Sequence, residues 1–474
     1  MESLPIIGDP SQVAQASEAA KGSYAFVSLG CPKNLIDSER MLGLLQLDGY
    51  QLVEQPQGAD FVVVNTCGFI EQAREESFSA IDEMLELKRQ GKTRGVIVSG
   101  CLAEKQKEQL LEDRPEIDSL VGVFGREEVT RIADRLVGDL DEQRSVFRPA
   151  PIRALSDSGR LRVTPPHFAY LKISEGCDRL CTFCAIPQMR GKHASKPIEQ
   201  IVEEAQNLVQ DGAQELILVA QDTTYYGIDI YGQPRLSELL EKLAEVEGLR
   251  WIRLMYLYPM YIDDRLIETI ASTPKILPYL DLPLQHINDE MLKRMARRVT
   301  RQETEDLLTR LREGIPDLVL RTTFITGFPG ETEAHFQEMA EFVEQQRFQR
   351  LGVFTYSYED STPSARLPDQ VPEDVKTDRQ ERLMAIQQTL AFEWSQQQIG
   401  QRREVILDRF LEEQRTGKGK KKKVQRVWVG RSYADAPDVD ALVYVTSQSR
   451  DLQTGQIVEC EIVGAQGYDL AGWH

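Results

Sequence analysis

The sequence predicts an α/β chain in three parts: an N-terminal parallel α/β domain, a central open (β/α)6 partial barrel and a small C-terminal all-β barrel. Three observations carry this. Apolar runs alternate with amphipathic stretches as far as Gln397, the mark of strand–helix units around parallel sheets. A polar stretch at 138–165, with Pro149, Pro151 and Pro165, divides that alternation in two. After Gln397, short alternating segments between turns replace the helical period. The chain has 474 residues, long for one domain. The expected division is a tail at 1–21, a domain at 22–137, a linker at 138–165, a core at 166–397 and a barrel at 398–470.

In the first domain, strands are expected at 24–31, 61–67 and 95–101, with helices at 37–47, 71–89 and 103–112. Each strand ends in a cysteine: Cys31, Cys67 and Cys101. The intervals of 36 and 34 residues are close to one βαβ unit of ~30 residues. Parallel strands present their carboxyl ends on one edge, so the three thiols should converge although distant in sequence. Three unrelated buried cysteines are the alternative.

The core should have six strands: 170–174, 215–220, 251–258, 279–284, 319–326 and 351–357. Helices are expected between them, and an amphipathic stretch at 374–397 closes the series. A closed eight-unit barrel would need two more strands. Strand ends place Gln221, Asp222, Asp281, Gln285, His286 and the turn Gly327-Phe-Pro-Gly-Glu331 on the face where ligands bind. His286 suits acid–base work and packing equally well. Four short strands, beginning at Glu404, Val424, Ala441 and Gln456, make the barrel. Cys460 alternates with Val458 and Ile462, as an inward-facing small hydrophobe does. The lysine-rich stretch at 415–423 reads as a solvated loop, with RNA contact as the alternative.

Leaving the first core strand, Cys177, Cys181 and Cys184 are spaced C-x3-C-x2-C. A compact loop of three thiolates suits a soft metal centre, and iron–sulfur clusters are held by such thiolates. Three ligands on a four-iron cube leave one iron open, as reactive sites require. A zinc knuckle would want a second cysteine pair or spaced histidines, which His167 and His193 do not supply. Composition is 41% hydrophobic, enough for sizeable cores. No apolar run approaches the ~20 residues of a membrane span, so no membrane role is expected. Two thiol triads among seven cysteines are not a disulfide framework, which points to a reducing cytoplasm. A net charge of −19 disfavours a dominant phosphate-binding role and admits a basic protein partner.

With Phe183 before the last cysteine, the spacing resembles the signature of the radical S-adenosylmethionine enzymes. That resemblance implies an open iron that binds the amino and carboxylate groups of S-adenosylmethionine, reductive cleavage to a 5′-deoxyadenosyl radical, and Phe183 near the adenine. From about Gly22 to Tyr468 the chain resembles the methylthiotransferases, whose C-terminal module is called TRAM and recruits substrate. Ser28-Leu-Gly-Cys-Pro-Lys-Asn34, Asn65-Thr-Cys-Gly-Phe69, Ile173-Ser-Glu-Gly-Cys177, Asp222-Thr-Thr-Tyr-Tyr-Gly227 and Leu282-Pro-Leu-Gln-His-Ile287 are similar to the branch that modifies a ribosomal protein. The tRNA-modifying branch has Gln-Asn-Val-Asn where Asp222-Thr-Thr-Tyr stands, and Gln-Ser-Gly where Gln285-His-Ile stands.

The implied reaction is methylthiolation of the β-carbon of an aspartate in small-subunit ribosomal protein S-twelve. That carbon–hydrogen bond is unactivated, and a radical is the sensible means of breaking it. The resemblance implies two 4Fe-4S clusters, on Cys31, Cys67 and Cys101 and on Cys177, Cys181 and Cys184. S-adenosylmethionine would be both radical source and methyl donor. Phe183, Gln221, Asp222, Gly327, Gly330 and Glu331 are the candidate cofactor-binding residues. A one-electron reductant of flavodoxin or ferredoxin type is implied; the sulfur donor is unnamed. The rivals are a tRNA adenosine methylthiotransferase and a non-catalytic RNA-binding protein with structural metal sites.

Overall fold

The computed structural model describes residues 20–138, 144–416 and 423–474. The first sheet has six parallel strands: β1 (Gly22–Ser28), β2 (Tyr50–Leu52), β3 (Phe61–Thr66), β4 (Gly95–Gly100), β5 (Ser119–Val121) and β6 (Ser145–Val146). Their order is β2-β1-β3-β4-β5-β6, so the three cysteine-bearing strands are neighbours. Both faces of β3 and β4 are buried, which is why Phe61-Val-Val-Val and Gly95-Val-Ile-Val are unbroken apolar runs. Three short strands escaped the pattern reading: β2, β5 and β6. The last lies within the stretch expected to be a linker. Helix α1 (Pro32–Leu47) starts five residues earlier than expected, because Pro32 sits at a first-turn position where its missing N–H costs nothing.

The second sheet is built from β7 (Phe168–Lys172), then, past a small pair formed by β8 (Ser174–Glu175) and β9 (Ala194–Ser195), β10 (Glu215–Val219), β11 (Trp251–Leu254), β12 (Ile276–Asp281), β13 (Val319–Thr326) and β14 (Arg350–Thr355). The large sheet is parallel and in sequential order, β14-β13-β12-β11-β10-β7, with β14 and β7 as its edges. It is the open six-stranded partial barrel. Alternate side chains divide two cores: Leu216 and Leu218 face the surrounding helices, and Ile217 and Val219 face the concave side.

The last domain is a closed barrel, β15 (Arg402–Thr416), β16 (Lys423–Ser432), β17 (Val443–Ser447), β18 (Ile457–Gln466) and β19 (Asp469–Trp473), ordered β15-β16-β17-β19-β18. The fifth strand, β19, was not expected; its Asp469-Leu-Ala-Gly-Trp is too mixed to read as one. Cys460 is buried in the barrel core beside Val458 and Ile462. The Lys418–Lys422 run lies outside the described residues. Ile406, Ala434 and Ala436 of this domain pack into the concave face of the partial barrel, against Phe168, Ile217 and Trp251. Polar contacts seal that joint: Arg431 to Glu215 at 2.7 Å, Arg350 to Asp435 at 2.5 Å, and the Tyr279 hydroxyl to Asp440 at 2.7 Å. Among the described residues, no helix is long and apolar enough to cross a membrane.

Candidate active site

The first thiol triad is assembled by strand ends. Cys31 caps the N-terminus of α1, Cys67 follows β3, and Cys101 opens the helix Cys101–Gln106 directly after β4. Glycines set how closely these ends approach. At Gly30 (φ +91°) a Cβ would stand 2.9 Å from the Cβ of Cys67. At Gly68 it would stand 2.9 Å from the Leu102 nitrogen and 3.0 Å from the Cys101 carbonyl. The three turns are therefore stacked on one another, as backbone rather than side chain allows. Ser77 fixes the middle one, accepting from the Cys67 N–H at 3.0 Å and lying 2.9 Å from its carbonyl oxygen.

The second triad is local. Gly176 (φ +70°) lets the chain pass against the Lys192 carbonyl, 2.1 Å from where its Cβ would be, and the Cys177 N–H donates to Gly191 at 3.1 Å. Backbone N–H groups of Arg179 and Ile186 point at the sulfurs of Cys177 and Cys184, each at 3.4 Å. The Arg297 guanidinium lies 3.8 Å from the Cys181 sulfur. The two triads adjoin: Cys101 packs with Ala185 and Met189, immediately after Cys184.

Between them lies a buried charge network that sequence reading missed. Asp37 on α1 meets Lys172 at 2.7 Å and Arg190 at 2.9 Å, and also pairs with Arg126. Glu175 meets Lys172 at 3.0 Å and Arg190 at 2.9 Å. Asp157, in the connecting stretch, holds Arg126 and Lys196, each at 2.7 Å. Arg190 also donates to the Cys101 sulfur at 3.3 Å. A buried ion pair survives only with such mutual satisfaction, since each ion alone costs several kcal/mol to desolvate. The sequence signal was weak: charged residues beside cysteines look like any solvated loop.

The other expected residues divide by role. Phe183 packs edge-on to Phe328, ring centroids 6.4 Å apart, so the Gly327-Phe-Pro-Gly turn supports the cysteine loop through its phenylalanine. Asp222 is buried and accepts from Arg179 at 2.6 Å and from Thr224 at 2.7 Å; Arg179 in turn stacks over Tyr258 at 4.2 Å. Gln221 donates to Glu175 at 3.0 Å, leaving its carbonyl oxygen buried and unpartnered. Glu331 is taken up by Arg379 and the Gly327 N–H at 2.8 and 2.9 Å. His286 accepts two backbone N–H groups at Nδ1, which puts its proton on Nε2, 3.5 Å from Glu331. Both are buried, and the facing His286 Nε2 and Glu331 Oε2 atoms make no hydrogen bond. At Gly330 (φ +86°) a Cβ would meet the Arg294 guanidinium at 2.5 Å. Lys33 and Tyr256 were also missed: the ammonium stands 3.2 Å from the ring centroid, and Tyr256 has φ +60°.

All seven cysteines are free. Burial pushes the Cys101, Cys177 and Cys184 thiols up to about 12. Burial acts on Cys31 too, but the Lys33 and Arg190 cations outweigh it and leave this thiol below its ordinary value. A bound metal deprotonates such thiols outright. Among the described residues, no three Cys, His, Asp or Glu stand close enough to hold one metal ion. A single zinc therefore does not fit. A four-iron cube takes one thiolate per iron, and its ligands need not meet at a point. Three free thiols per site, with N–H donors aimed at sulfur, fit such a cluster.

Three family models match in series. Uncharacterized protein family UPF0004 covers 23–122, the Radical SAM superfamily 171–343 and the TRAM domain 399–473. Among solved structures, the radical S-adenosylmethionine methyltransferase TsrM from Kitasatospora setae, with cobalamin and a 4Fe-4S cluster bound, matches with a TM-score of 0.53. The match covers 81% of this chain and 76% of that one at 14% identity, which speaks for the fold alone. Curated relatives are far nearer. The ribosomal protein uS12 methylthiotransferase RimO of Lachnoclostridium phytofermentans is 44% identical across 94% of this chain and 98% of the relative. That of Anaeromyxobacter sp. strain K is 46% identical across 94% and 92%, and that of Geobacter sulfurreducens 43% across 96% and 98%. At this identity over nearly the whole of both chains, the chain belongs to the RimO family of ribosomal protein uS12 methylthiotransferases.

Proposed function

We propose that Cys177, Cys181 and Cys184 hold the radical 4Fe-4S cluster, and that Cys31, Cys67 and Cys101 hold a second one that carries sulfur. The chain is a radical S-adenosylmethionine methylthiotransferase acting on ribosomal protein S-twelve; the atom modified is the aspartate β-carbon that the motif resemblance implies. When bound, the clusters and S-adenosylmethionine supply the one-electron chemistry, the sulfur and the methyl group. The carrying observation is the adjacency of the two free-thiol triads, with Cys101 packed on Ala185 beside Cys184. A structural role would not need two incomplete ligand sets side by side.

The chain's own residues hold this arrangement. Arg179 pins the cysteine loop to Asp222, so that carboxylate acts through the loop. Phe183 rests on Phe328 and packs beside Cys181, which keeps it next to the cysteine loop that would hold the cluster. The buried, unpartnered carbonyl oxygen of Gln221 is a free polar group for a ligand. Seven free thiols suit a reducing cytoplasm. A one-electron reductant of flavodoxin or ferredoxin class completes the reaction.

Mass spectrometry of S-twelve and of tRNA after anaerobic turnover tests the reading. Methylthiolated S-twelve peptide and unchanged tRNA are expected. Methylthiolated adenosine would instead favour the tRNA branch, and no product with either would defeat the enzymatic reading.

A further inference from the structure

The cysteine sulfurs are not hydrogen-bonded alike. Cys177 and Cys184 receive backbone N–H groups. Cys101 receives the Nε–H of Arg190, a full cation donated from the opposite side of the joint. Arg190 is almost wholly buried, ends the short helix Ile186–Arg190 that follows Cys184, and extends its fork to Glu175, Asp37 and Asn34 at 2.9, 2.9 and 3.3 Å. One side chain thus touches a ligand of the first triad from a segment that carries the second. Asp37 and Glu175 do not depend on it, because Lys172 also serves both.

We infer that Arg190 is the positioning residue that couples the two clusters: it sets the reduction potential of the N-terminal one and fixes it against the radical centre. This rests on the two-cluster reading above. Hydrogen bonds to the sulfurs and local charge tune such potentials. A cation at Cys101 favours the reduced, more negative state, so its removal should make reduction harder. Lysine keeps the charge but loses the rigid fork.

The test uses full-length chain with Cys177, Cys181 and Cys184 replaced by alanine, so that only the N-terminal cluster remains. Parent, Arg190→Gln and Arg190→Lys forms are reconstituted anaerobically and titrated with EPR detection. The glutamine form should titrate at a more negative potential than the parent, with the lysine form between them. In chains with all six cysteines, both variants should still form 5′-deoxyadenosine but less methylthiolated product per deoxyadenosine. If the parent binds no iron, the two-cluster reading fails, and this inference with it. If the parent binds iron and both variants titrate with it, the inference alone fails. Should the glutamine form hold no iron, the lysine form decides by the same criterion.

Discussion

The two thiol triads are neighbours made by opposite means. Cys177, Cys181 and Cys184 lie on one loop, fixed by local N–H donors and one glycine turn. Cys31, Cys67 and Cys101 stand at 36- and 34-residue intervals and meet only when three strands pair in register. A local site needs its loop; a dispersed site needs its whole sheet. The dispersed triad should therefore be the one that registers damage to the fold, and the local one the one that persists.

The largest effect expected is on chemistry. Cys67→Ala should abolish methylthiolated product, a loss beyond the ~100-fold seen for mere supporting partners of metal ligands. It should leave formation of 5′-deoxyadenosine from S-adenosylmethionine in place. Normal product from this variant would remove the distinction between the triads.

Next comes the joint between them. Asp37→Asn leaves Lys172, Arg126 and Arg190 short of one carboxylate in a buried setting. Breaking such a pair costs about 3–5 kcal/mol. A denaturant midpoint lowered to match, with less iron on the N-terminal triad, is expected; an unchanged midpoint would mean that the network is dispensable.

Acid probes the same joint from the other side. Burial raises the Glu175 carboxyl, but Arg190 and Lys172 outweigh it and hold it well below the usual carboxylate range. A depressed group lends stability above its unfolded pKa, about 4.3, and loses that stability as pH falls toward the folded value. The loss amounts to about 1.4 kcal/mol for each unit of depression. Glu175→Gln should thus be less stable than the parent from pH 6 to 8, with the gap closing in acid below about pH 4. A gap that widens in acid would reverse the assignment.

The smallest effect separates backbone strain from crowding. Gly30 and Gly58 both have φ +91°, but a Cβ at Gly58 meets nothing within 4 Å, whereas at Gly30 it meets Cys67. Either alanine pays ~1–2 kcal/mol for the left-handed backbone. Only Gly30→Ala should also lower iron on the N-terminal triad. Equal iron in both variants would show that the turns can separate without harm.

Legibility in the sequence followed the same division. The local triad was readable as a spacing. The dispersed one was readable only through topology: three apolar runs each ending in cysteine, which β1, β3 and β4 bring side by side. All six strands of the large core sheet announced themselves because their apolar runs lie between clear helices. The short strands β2, β5 and β6 and the pair β8–β9 did not, since two or three residues carry no period. Glu331 and His286 stood at the expected strand ends, yet Glu331 is held by Arg379 and the Gly327 N–H, and His286 accepts N–H groups of its own loop. Position in the sequence placed them on the right edge but could not tell which way their hydrogen bonds would go. Arg190 was invisible for the same reason: its importance lies in partners far along the chain.

The barrel joint bears on how the protein matures. Arg253 donates to the Tyr433 carbonyl, Arg350 to Asp435, and Arg321 lies 3.5 Å from Asp440, so three guanidinium groups of the core are completed by the final seventy-odd residues. Until that stretch is synthesised, the hollow of the core stays unsealed and Arg350 lacks its carboxylate, whereas Arg253 and Arg321 already have Glu215 and Asp281. A nascent chain stalled near Gln397 would be an unfinished enzyme with a wet, charged interior rather than a working one without its accessory.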